Sequence, residues 1–158
     1  MPNRIERALG KAVASRPGAW FYVNVAPHLD RRLLRWSNGR FSISVGQPVA
    51  LLEVVGAKSG ELRRTPLVFA TDSDDVIFIA SRGGDTRHPG WFHNLRANPD
   101  VKLYAPGGRT GAYRARVAEG EERERMWRKA VKVYPGYETY KKRAGKRQIP
   151  VVVLSPVR

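Results

Sequence analysis

The chain has no cysteine among its 158 residues and only three histidines. Without cysteine there is no disulfide, no thiolate metal ligand and no thiol nucleophile. His88 and His93 are five residues apart, a spacing that does not put both side chains on one helical face, and no cluster of acidic residues adjoins them. We therefore expect no metal site in this protein.

Long apolar runs are also missing. No run approaches the roughly 18 residues that a membrane-spanning helix needs. The first ten residues carry Arg4, Glu6 and Arg7, and the apolar stretch of a secretory signal does not follow them. The sequence therefore predicts a cytoplasmic protein.

Acidic residues are scarce, because 14 Asp and Glu stand against 29 Lys and Arg and give a formal net charge of +15. A field of this sign concentrates anions near the surface. The partner could be a nucleic acid, an anionic membrane face or a polyanionic small molecule, and composition alone leaves all three open. The length and the 42% of hydrophobic residues are those of a folded chain with a real core.

Two common nucleotide-binding motifs and one hydrolase motif are absent. A P-loop would need glycine at the positions of Leu52 and Ala57, and no GxGxxG pattern follows a predicted strand. The segment 56–60 (GAKSG) does not have the residue order of a G-x-S-x-G nucleophile elbow. The chemistry must therefore rest on other residues.

Hydrophobic periodicity divides the chain into a basic helical segment over residues 1–40 and a strand-rich domain over residues 41–158. Apolar runs bounded by turn residues predict six strands, at 50–55, 67–70, 76–80, 101–104, 112–117 and 151–154. The first three lack strict alternation, which indicates strands covered on both faces. Helices are predicted over 89–98, 119–133 and 135–143. The predicted fold class is α+β, a six-stranded antiparallel barrel with flanking helices.

Two glycine-containing turns carry basic residues. The first, 56–60, is followed by Arg63, Arg64, Thr65 and Pro66, and the second comprises residues 81–84 (SRGG). Glycines allow tight backbone whose amides can hold an anion, and arginine binds carboxylate or phosphate through two hydrogen bonds. Either turn alone is an ordinary hairpin with solvated charges. Two of them at corresponding strand ends favour an anion site.

Aromatic residues form two further candidate groups. Trp91 and Asn94 lie three apart on a predicted helix and so face the same side, although a core tryptophan beside a surface asparagine explains them equally well. Tyr134, Tyr137 and Tyr140 span about 120° of one helical face. Such a stripe is more often core packing than a wall of a substrate site.

Four segments in order resemble the deazaflavin (F420)-dependent nitroreductases of actinobacteria. They are 56–67 (GAKSGELRRTPL), 80–84 (ASRGG), 89–99 (PGWFHNLRANP), and 134–137 (YPGY) with 149–153 (IPVVV). The resemblance covers roughly residues 45–158. It implies a split β-barrel like that of the FMN-binding oxidases. It also implies coenzyme F420, a 5-deazaflavin that bears a phosphate and an oligoglutamate tail.

The same resemblance implies site residues. Those expected to bind the cofactor are Lys58, Ser59, Arg63, Arg64, Thr65, Pro66, Ala80, Ser81, Arg82, Gly83, Trp91 and Asn94. Those expected to border the substrate are Val68, Tyr134, Tyr137 and Tyr140, and Ser81 and Tyr134 are the expected catalytic hydrogen-bond donors. The tail's negative charges explain why Lys58, Arg63 and Arg82 would share one rim.

The implied activity is hydride transfer from reduced F420 to an electron-poor acceptor. The acceptor class is the quinones, with nitroaromatics as adventitious substrates. Three positions depart from the family pattern: Arg82 replaces a common lysine, Val68 an aromatic residue found in nitroimidazole-reducing relatives, and Gly90 a larger residue. The last two predict a roomier pocket with little activity on bulky nitroimidazoles.

The N-terminal segment and two alternative functions stay open at this point. Residues 1–40 hold eight Lys or Arg against two acidic residues, so they either bind an anionic membrane surface or pack over a barrel mouth. A split barrel that binds a flavin or haem is one alternative. A basic nucleic-acid-binding module is another, but the aromatics are not interleaved with basic residues on strands, so we expect no specific nucleic acid. The sequence does not define the oligomeric state.

Overall fold

The computed structural model describes residues 47–158 together with Arg32, Arg35 and Trp36, and these three are helical. The remaining predictions for residues 1–40, and the predicted domain boundary at residue 41, lie outside the described residues. All six predicted strands and all three predicted helices of the barrel domain lie within them.

The described residues form seven strands, three α-helices and one short 3₁₀ helix. The strands are β1 (Val49–Val55), β2 (Leu62–Val68), β3 (Ala70–Asp72), β4 (Asp75–Ile79), β5 (Asp100–Tyr104), β6 (Gly111–Val117) and β7 (Val151–Pro156). The helices are the 3₁₀ helix Arg82–Gly84, α1 (Gly90–Ala97), α2 (Gly120–Val133) and α3 (Gly136–Arg143). All three predicted α-helices are confirmed to within one residue at each end.

The prediction of six strands is corrected to seven. The apolar run 67–70, which predicted one strand, spans the end of β2 and the start of β3, and β2 extends back to Leu62. Arg63, Arg64 and Pro66 made this stretch look like a loop. Because β2 pairs only with β1 among the described strands, it is an edge strand there, where charged residues and proline are tolerated.

A single residue closes the sheet into a barrel. The strand order is β2-β1-β5-β6-β7-β4-β3, and every pairing is antiparallel. β2 and β3 stand at opposite edges of this order, yet only Phe69 separates them in the chain. The sheet must therefore curl until its edges approach each other. Phe69 is buried at the junction, and its N–H donates to the Pro48 carbonyl at 3.1 Å. The predicted antiparallel split barrel of class α+β is confirmed.

The barrel interior is filled by alternate residues of the strands and by one face of α1. The inner cluster includes Ala50, Leu52, Val54, Val76, Phe78, Leu103, Val152 and Leu154, with Trp91, Phe92 and Leu95 from α1. The opposite face of β4 and β7 packs beneath α2, where Ile77, Ile79, Val151 and Val153 meet Met126, Trp127 and Ala130. β1 is also buried on both faces. The lack of apolar–polar alternation in β1 and β4 is thus explained by the burial of both faces of these strands, as predicted.

Strand direction decides which loops lie together. Four antiparallel pairings lead from β1 through β5, β6 and β7 to β4, so β1 and β4 run in the same direction. The turn 56–60 after β1 and the turn 81–84 after β4 therefore leave the barrel at one end, which we call the site end. β5 starts at the same end, and so α1 lies there too.

The turn 81–84 has an unusual backbone. Arg82, Gly83 and Gly84 all have positive φ, at 47°, 63° and 83°. A Cβ on Gly84 would lie 2.6 Å from Cβ of Arg143 and 2.7 Å from the Tyr140 carbonyl oxygen, whereas a Cβ on Gly83 would meet nothing within 4 Å. Gly84 is therefore required by the packing of α3 against the turn.

This contrast predicts unequal costs for two matched substitutions. Gly83→Ala should cost about 1–2 kcal/mol of unfolding free energy, because it puts a Cβ into the left-handed region. Gly84→Ala should cost about 1–3 kcal/mol more, because its Cβ also overlaps α3. Urea unfolding of both variants without added cofactor measures the difference. Equal losses would show that α3 does not constrain the turn.

Candidate active site

The first turn at the site end is held by its own backbone and by α1. The Gly56 N–H donates to the Glu61 carbonyl at 2.7 Å, and the Gly60 N–H donates to the Gly56 carbonyl at 3.0 Å. The Ala57 N–H donates to Oδ1 of Asn94 in α1 at 3.0 Å. Asn94, expected from the resemblance to border the cofactor, therefore also fixes the turn that carries Lys58 and Ser59.

An open cleft of about 550 Å³ lies between this turn and α1. Its lining residues are Gly56, Ala57, Lys58, Ser59, Arg63, Gly90, His93 and Asn94. Lys58 and Arg63 make it cationic, and Gly90 adds the positive N-terminal end of the α1 dipole. The structure thus brings together four of the residues expected to bind the cofactor.

Ser59 is oriented within the cleft by two hydrogen bonds that its hydroxyl oxygen accepts. The donors are the Glu61 N–H at 3.2 Å and Nη2 of Arg63 at 3.5 Å. The hydroxyl hydrogen of Ser59 can then be donated to an oxygen of a bound anion. Arg63 also forms an exposed ion pair with Glu61 at 3.5 Å, which is weak and easily exchanged for another anion.

His93 is a cleft residue that the sequence analysis did not select. Gly90, His93 and Asn94 stand at positions i, i+3 and i+4 of α1 and so share one helical face. This i, i+3, i+4 spacing can be read from the sequence, but nothing in so short a predicted helix distinguishes His93 from an ordinary surface histidine.

Strand alternation separates the expected residues of β2. Arg63 pairs with Val54 and Thr65 with Leu52, so their side chains lie on the inner face of the sheet. Arg64, Pro66 and Val68 lie on the outer face. Nε of Arg64 contacts Oε2 of Glu53 at 2.7 Å, and the Arg64 and Glu53 side chains are only 26% and 12% exposed. Arg63 and Thr65 therefore face the side of α1, and Arg64 is engaged elsewhere.

The second turn is compact and partly buried. Ala80 and Ser81 are buried, and the Ala80 N–H donates to the Pro150 carbonyl at 3.0 Å. Nε of Arg82 lies 3.4 Å from Oδ2 of Asp85, and its Nη1 donates to the His88 carbonyl at 3.3 Å. The Arg82 side chain is thus held against its own loop.

Asp85 and Trp91 complete the surroundings of this loop. A hydrogen bond from the Arg87 backbone N–H, with the nearby Arg87 and Arg82 cations, holds the pKa of Asp85 below its ordinary value. Trp91 is 8% exposed and packs edge-on against Phe78, with ring centroids 6.0 Å apart. Trp91 is therefore part of the inner core beneath the site.

The three tyrosines form a cluster, but not along one helix. Tyr134 caps the C-terminus of α2, and α3 begins only at Gly136, so the expectation of a single helical face is corrected. Their ring centroids lie 4.9 Å (134–137), 5.8 Å (134–140) and 6.3 Å (137–140) apart. A Cβ on Gly136 would lie 2.5 Å from Cζ of Tyr134, so glycine at 136 makes room for that ring.

The hydroxyl groups of the cluster differ in environment. The Tyr134 and Tyr140 hydroxyl oxygens are 2.8 Å apart and hydrogen-bonded. Tyr137 is 7% exposed beside Trp127, and burial raises the pKa of its phenol above the ordinary value. Tyr137 is therefore a core residue, whereas Tyr134 and Tyr140 are only partly buried.

Most of the expected site residues thus fall into two groups at the site end. The first turn and α1 form the cationic cleft, and the second turn lies against α3 and its tyrosines through the Gly84–Tyr140 contact. Val68 joins neither group, because it packs with Val49, Leu51 and Tyr104. Its expected role beside the substrate stays a prediction.

Two features are absent from the described residues. No helix within them is both long enough and apolar enough to cross a membrane. No three His, Cys, Asp or Glu side chains in this part of the chain are grouped to hold a metal ion.

Comparison with known proteins now places the chain in a family. The sequence model described as F420H2-dependent quinone reductase matches residues 29–156. An F420H2-dependent quinone reductase of Mycobacterium tuberculosis is 39% identical over 131 residues, which cover 80% of this chain and 87% of that protein. The chain therefore belongs to the F420H2-dependent quinone reductase family. It is an oxidoreductase with reduced coenzyme F420 as its cofactor.

Solved structures agree with this assignment. An F420H2-dependent reductase, FDR-A, is 39% identical with a TM-score of 0.61, covering 68% of this chain and 94% of that one. A second structure, a domain-swapped dimer, is 34% identical with a TM-score of 0.65, covering 88% of this chain and 99% of that one. The resemblance, the fold and the cofactor stated from the sequence are thereby confirmed.

Proposed function

We propose that this protein transfers a hydride from F420H2 to a quinone, and that nitroaromatics are adventitious acceptors. The observation that carries the proposal is the cationic cleft between the turn 56–60 and α1. Family membership supplies the cofactor and the name of the acceptor class. The cleft supplies a place on this chain where a polyanionic cofactor fits.

The residues of the cleft fit the phosphate and the glutamate tail of F420. No acidic side chain within residues 47–158 forms an ion pair with Lys58, and in this part of the chain Arg63 has only an exposed ion pair with Glu61. An anion entering the cleft meets two cations, the Ser59 hydroxyl and the N-terminus of α1. A cofactor with several negative charges is therefore attracted more strongly than one with a single phosphate.

Other residues of the site end would hold the remainder of the cofactor. Thr65 lies on the inner face, Asn94 fixes the first turn, and the backbone of Ser81–Gly83 lies at the end of β4. When bound, reduced F420 would supply the hydride, and the protein would orient the acceptor. Arg64 and Pro66 lie on the opposite face, so Arg63 and Thr65 have the stronger claim to contact it.

The tyrosine cluster would border the acceptor. Tyr134 and Tyr140 are partly buried and present linked hydroxyl groups, while Tyr137 supports them from the core. The Tyr134 hydroxyl, or that of Ser81, would donate a hydrogen bond to the acceptor oxygen as negative charge develops on it. Solvent would then supply the proton to that oxygen.

Cofactor titration with two neighbouring arginine variants tests the cleft. F420 should quench the tryptophan fluorescence of the wild-type protein, and Arg63→Ala should weaken its binding about tenfold by removing one charge-assisted hydrogen bond. Arg64→Ala should leave the affinity unchanged but lower the urea midpoint, because it leaves Glu53 without its partner. FMN should bind far more weakly than F420.

Two outcomes of that titration would count against the proposal. Absence of F420 binding to the wild-type protein would overturn it. Equal loss of affinity in both variants would move the anion site away from the cleft.

Acceptor choice is the second test. We expect simple quinones to be reduced faster than bulky nitroimidazoles, because quinones are the acceptor class in the description of the matched family. Steady-state rates with F420H2 and each acceptor measure this. Equal rates would contradict it.

We further propose that residues 1–40 attach the rest of the chain, residues 41–158, to the inner face of the cell membrane, where quinones reside. Within that segment Trp36 is 82% exposed, and the helical Arg32 and Arg35 beside it are exposed too. An exposed tryptophan next to arginines is typical of a helix lying in a lipid interface.

Co-sedimentation of the full chain with vesicles tests the attachment. Binding to phosphatidylglycerol vesicles at low salt should exceed binding to phosphatidylcholine vesicles, because the attraction is partly electrostatic. A triple variant, Arg32→Gln, Arg35→Gln and Trp36→Ala, should bind less. If the wild-type chain stays in the supernatant with anionic vesicles at low salt, the attachment is refuted.

A further inference from the structure

One arginine outside the expected site forms hydrogen bonds along the loop that follows β4. Arg147 lies between α3 and β7, and its Nε donates to the Asp85 carbonyl at 2.8 Å. Its Nη1 donates to the Ala80 carbonyl at 3.1 Å and lies 2.9 Å from Nδ1 of His88. Its Nη2 donates to the Ser81 carbonyl at 2.6 Å. One guanidinium thus contacts four acceptors spread over residues 80–88.

The loop needs such support. It contains three successive residues of positive φ, including the non-glycine Arg82, and few backbone hydrogen bonds of its own. Those that hold it are the Gly84 N–H to the Ser81 carbonyl at 2.9 Å and the Asp85 N–H to the Arg82 carbonyl at 3.1 Å. A planar guanidinium satisfies several carbonyls at once, which a lysine ammonium at one point cannot do.

Arg147 acts through hydrogen bonds rather than through an ion pair. No carboxylate within residues 47–158 lies within ion-pair distance of it, and it is partly buried. Burial lowers the pKa of its guanidinium, the Asp85 charge opposing that effect. Partial burial of a cation costs free energy, and the carbonyl oxygens around the Arg147 guanidinium offset that cost.

We propose that Arg147 is the positioning residue of the cofactor turn 81–84, and that His88 makes this clamp sensitive to pH through its Nδ1 contact. The inference rests on the proposed function only in assigning the turn to the cofactor. The clamp itself is defined by the hydrogen bonds of the Arg147 guanidinium. When Nδ1 of His88 is unprotonated it accepts from Arg147, and when it is protonated two donors face each other.

The surroundings of His88 set the direction of the effect. The His93 ring lies 5.9 Å away, and Arg96 of α1 adds a further positive charge. Glu119 and Arg123 line, together with His88, a cavity of about 450 Å³. Burial, followed by the charges of Arg147, His93 and Arg96, lowers the pKa of His88. Protonation of His88 is therefore less favourable in the folded loop than in an unfolded chain. The loop keeps its full stability above the ordinary histidine pKa of 6.5 and loses stability as the pH falls below that value.

Amide hydrogen exchange of the cofactor-free protein tests the clamp without relying on the cofactor. In Arg147→Lys, the amides of residues 81–88 should exchange about tenfold faster, while those of residues 56–62 stay unchanged. F420 should also bind about tenfold more weakly. His88→Leu, which removes one acceptor, keeps the test available if Arg147→Lys does not fold.

Arg109 provides a matched control at the opposite end of the barrel. Its Nη2 donates to the Ser73 carbonyl at 3.1 Å and its Nη1 to the Gly107 carbonyl at 3.4 Å. Arg109→Lys also removes arginine–carbonyl bonds that hold turns, so it reports the general cost of such a change. It should leave both the exchange of residues 81–88 and the F420 affinity unchanged.

A non-titrating variant isolates the pH effect. In His88→Asn, an amide oxygen can accept from Arg147 near the position of Nδ1 at every pH. As the pH is lowered from 7.5 to about 5.5, the protection of residues 81–88 relative to their intrinsic exchange rates should fall in the wild-type protein and stay constant in His88→Asn. Identical profiles would refute the role of His88.

The outcomes separate the clamp from the proposed function. If Arg147→Lys exchanges like the wild-type protein, the clamp is wrong. If exchange accelerates but F420 affinity is unchanged, Arg147 does not position the cofactor turn. If the wild-type protein does not bind F420 at all, the proposed function fails, and exchange alone decides whether the clamp exists.

Discussion

The single-residue link between β2 and β3 is the constraint on which the rest of the structure depends. Because Phe69 alone separates strands at opposite edges of the sheet, the sheet cannot stay open. Curling buries alternate residues of the strands in one interior, which α1 covers. β2 has a single partner among the described strands, so Arg63, although it pairs with Val54, stands in an edge strand at the rim of the sheet. The cationic cleft is thus a consequence of how the barrel closes.

The net charge of the chain and the local geometry of the site have different roles in binding an anion. A net charge of +15 attracts anions to the whole surface, but long-range attraction does not choose a binding position. The choice is local: Asn94 holds the first turn to α1, and this contact sets Lys58 beside the helix N-terminus. The alternation of side chains along β2 likewise gives its two arginines different environments. Arg63 faces the cleft, and Arg64 pairs with Glu53.

The sequence predicted what depends on local pattern and missed what depends on closure. The α-helices were found because proline, glycine and acidic residues mark their starts and ends. β2 was not recognised as one strand because its arginines and proline are tolerated only at an edge, and edges are known only once the sheet order is known. Tyr134 was placed on a helix it precedes, and Arg147 gave no local signal because its partners lie 59 to 67 residues away.

The two halves of the site are joined by one stretch of chain. The second turn lies against the tyrosine-bearing helix α3, and the same segment continues through His88 into α1, which lines the cationic cleft. A shift in residues 81–88 would therefore change the distance between the tyrosine cluster, which is proposed to border the acceptor, and the cationic cleft, which is proposed to bind the cofactor. In the proposed reaction, hydride transfer would depend steeply on that distance. The hydrogen bonds of this loop would thus bear on the proposed catalysis even though none of them reaches into the cleft.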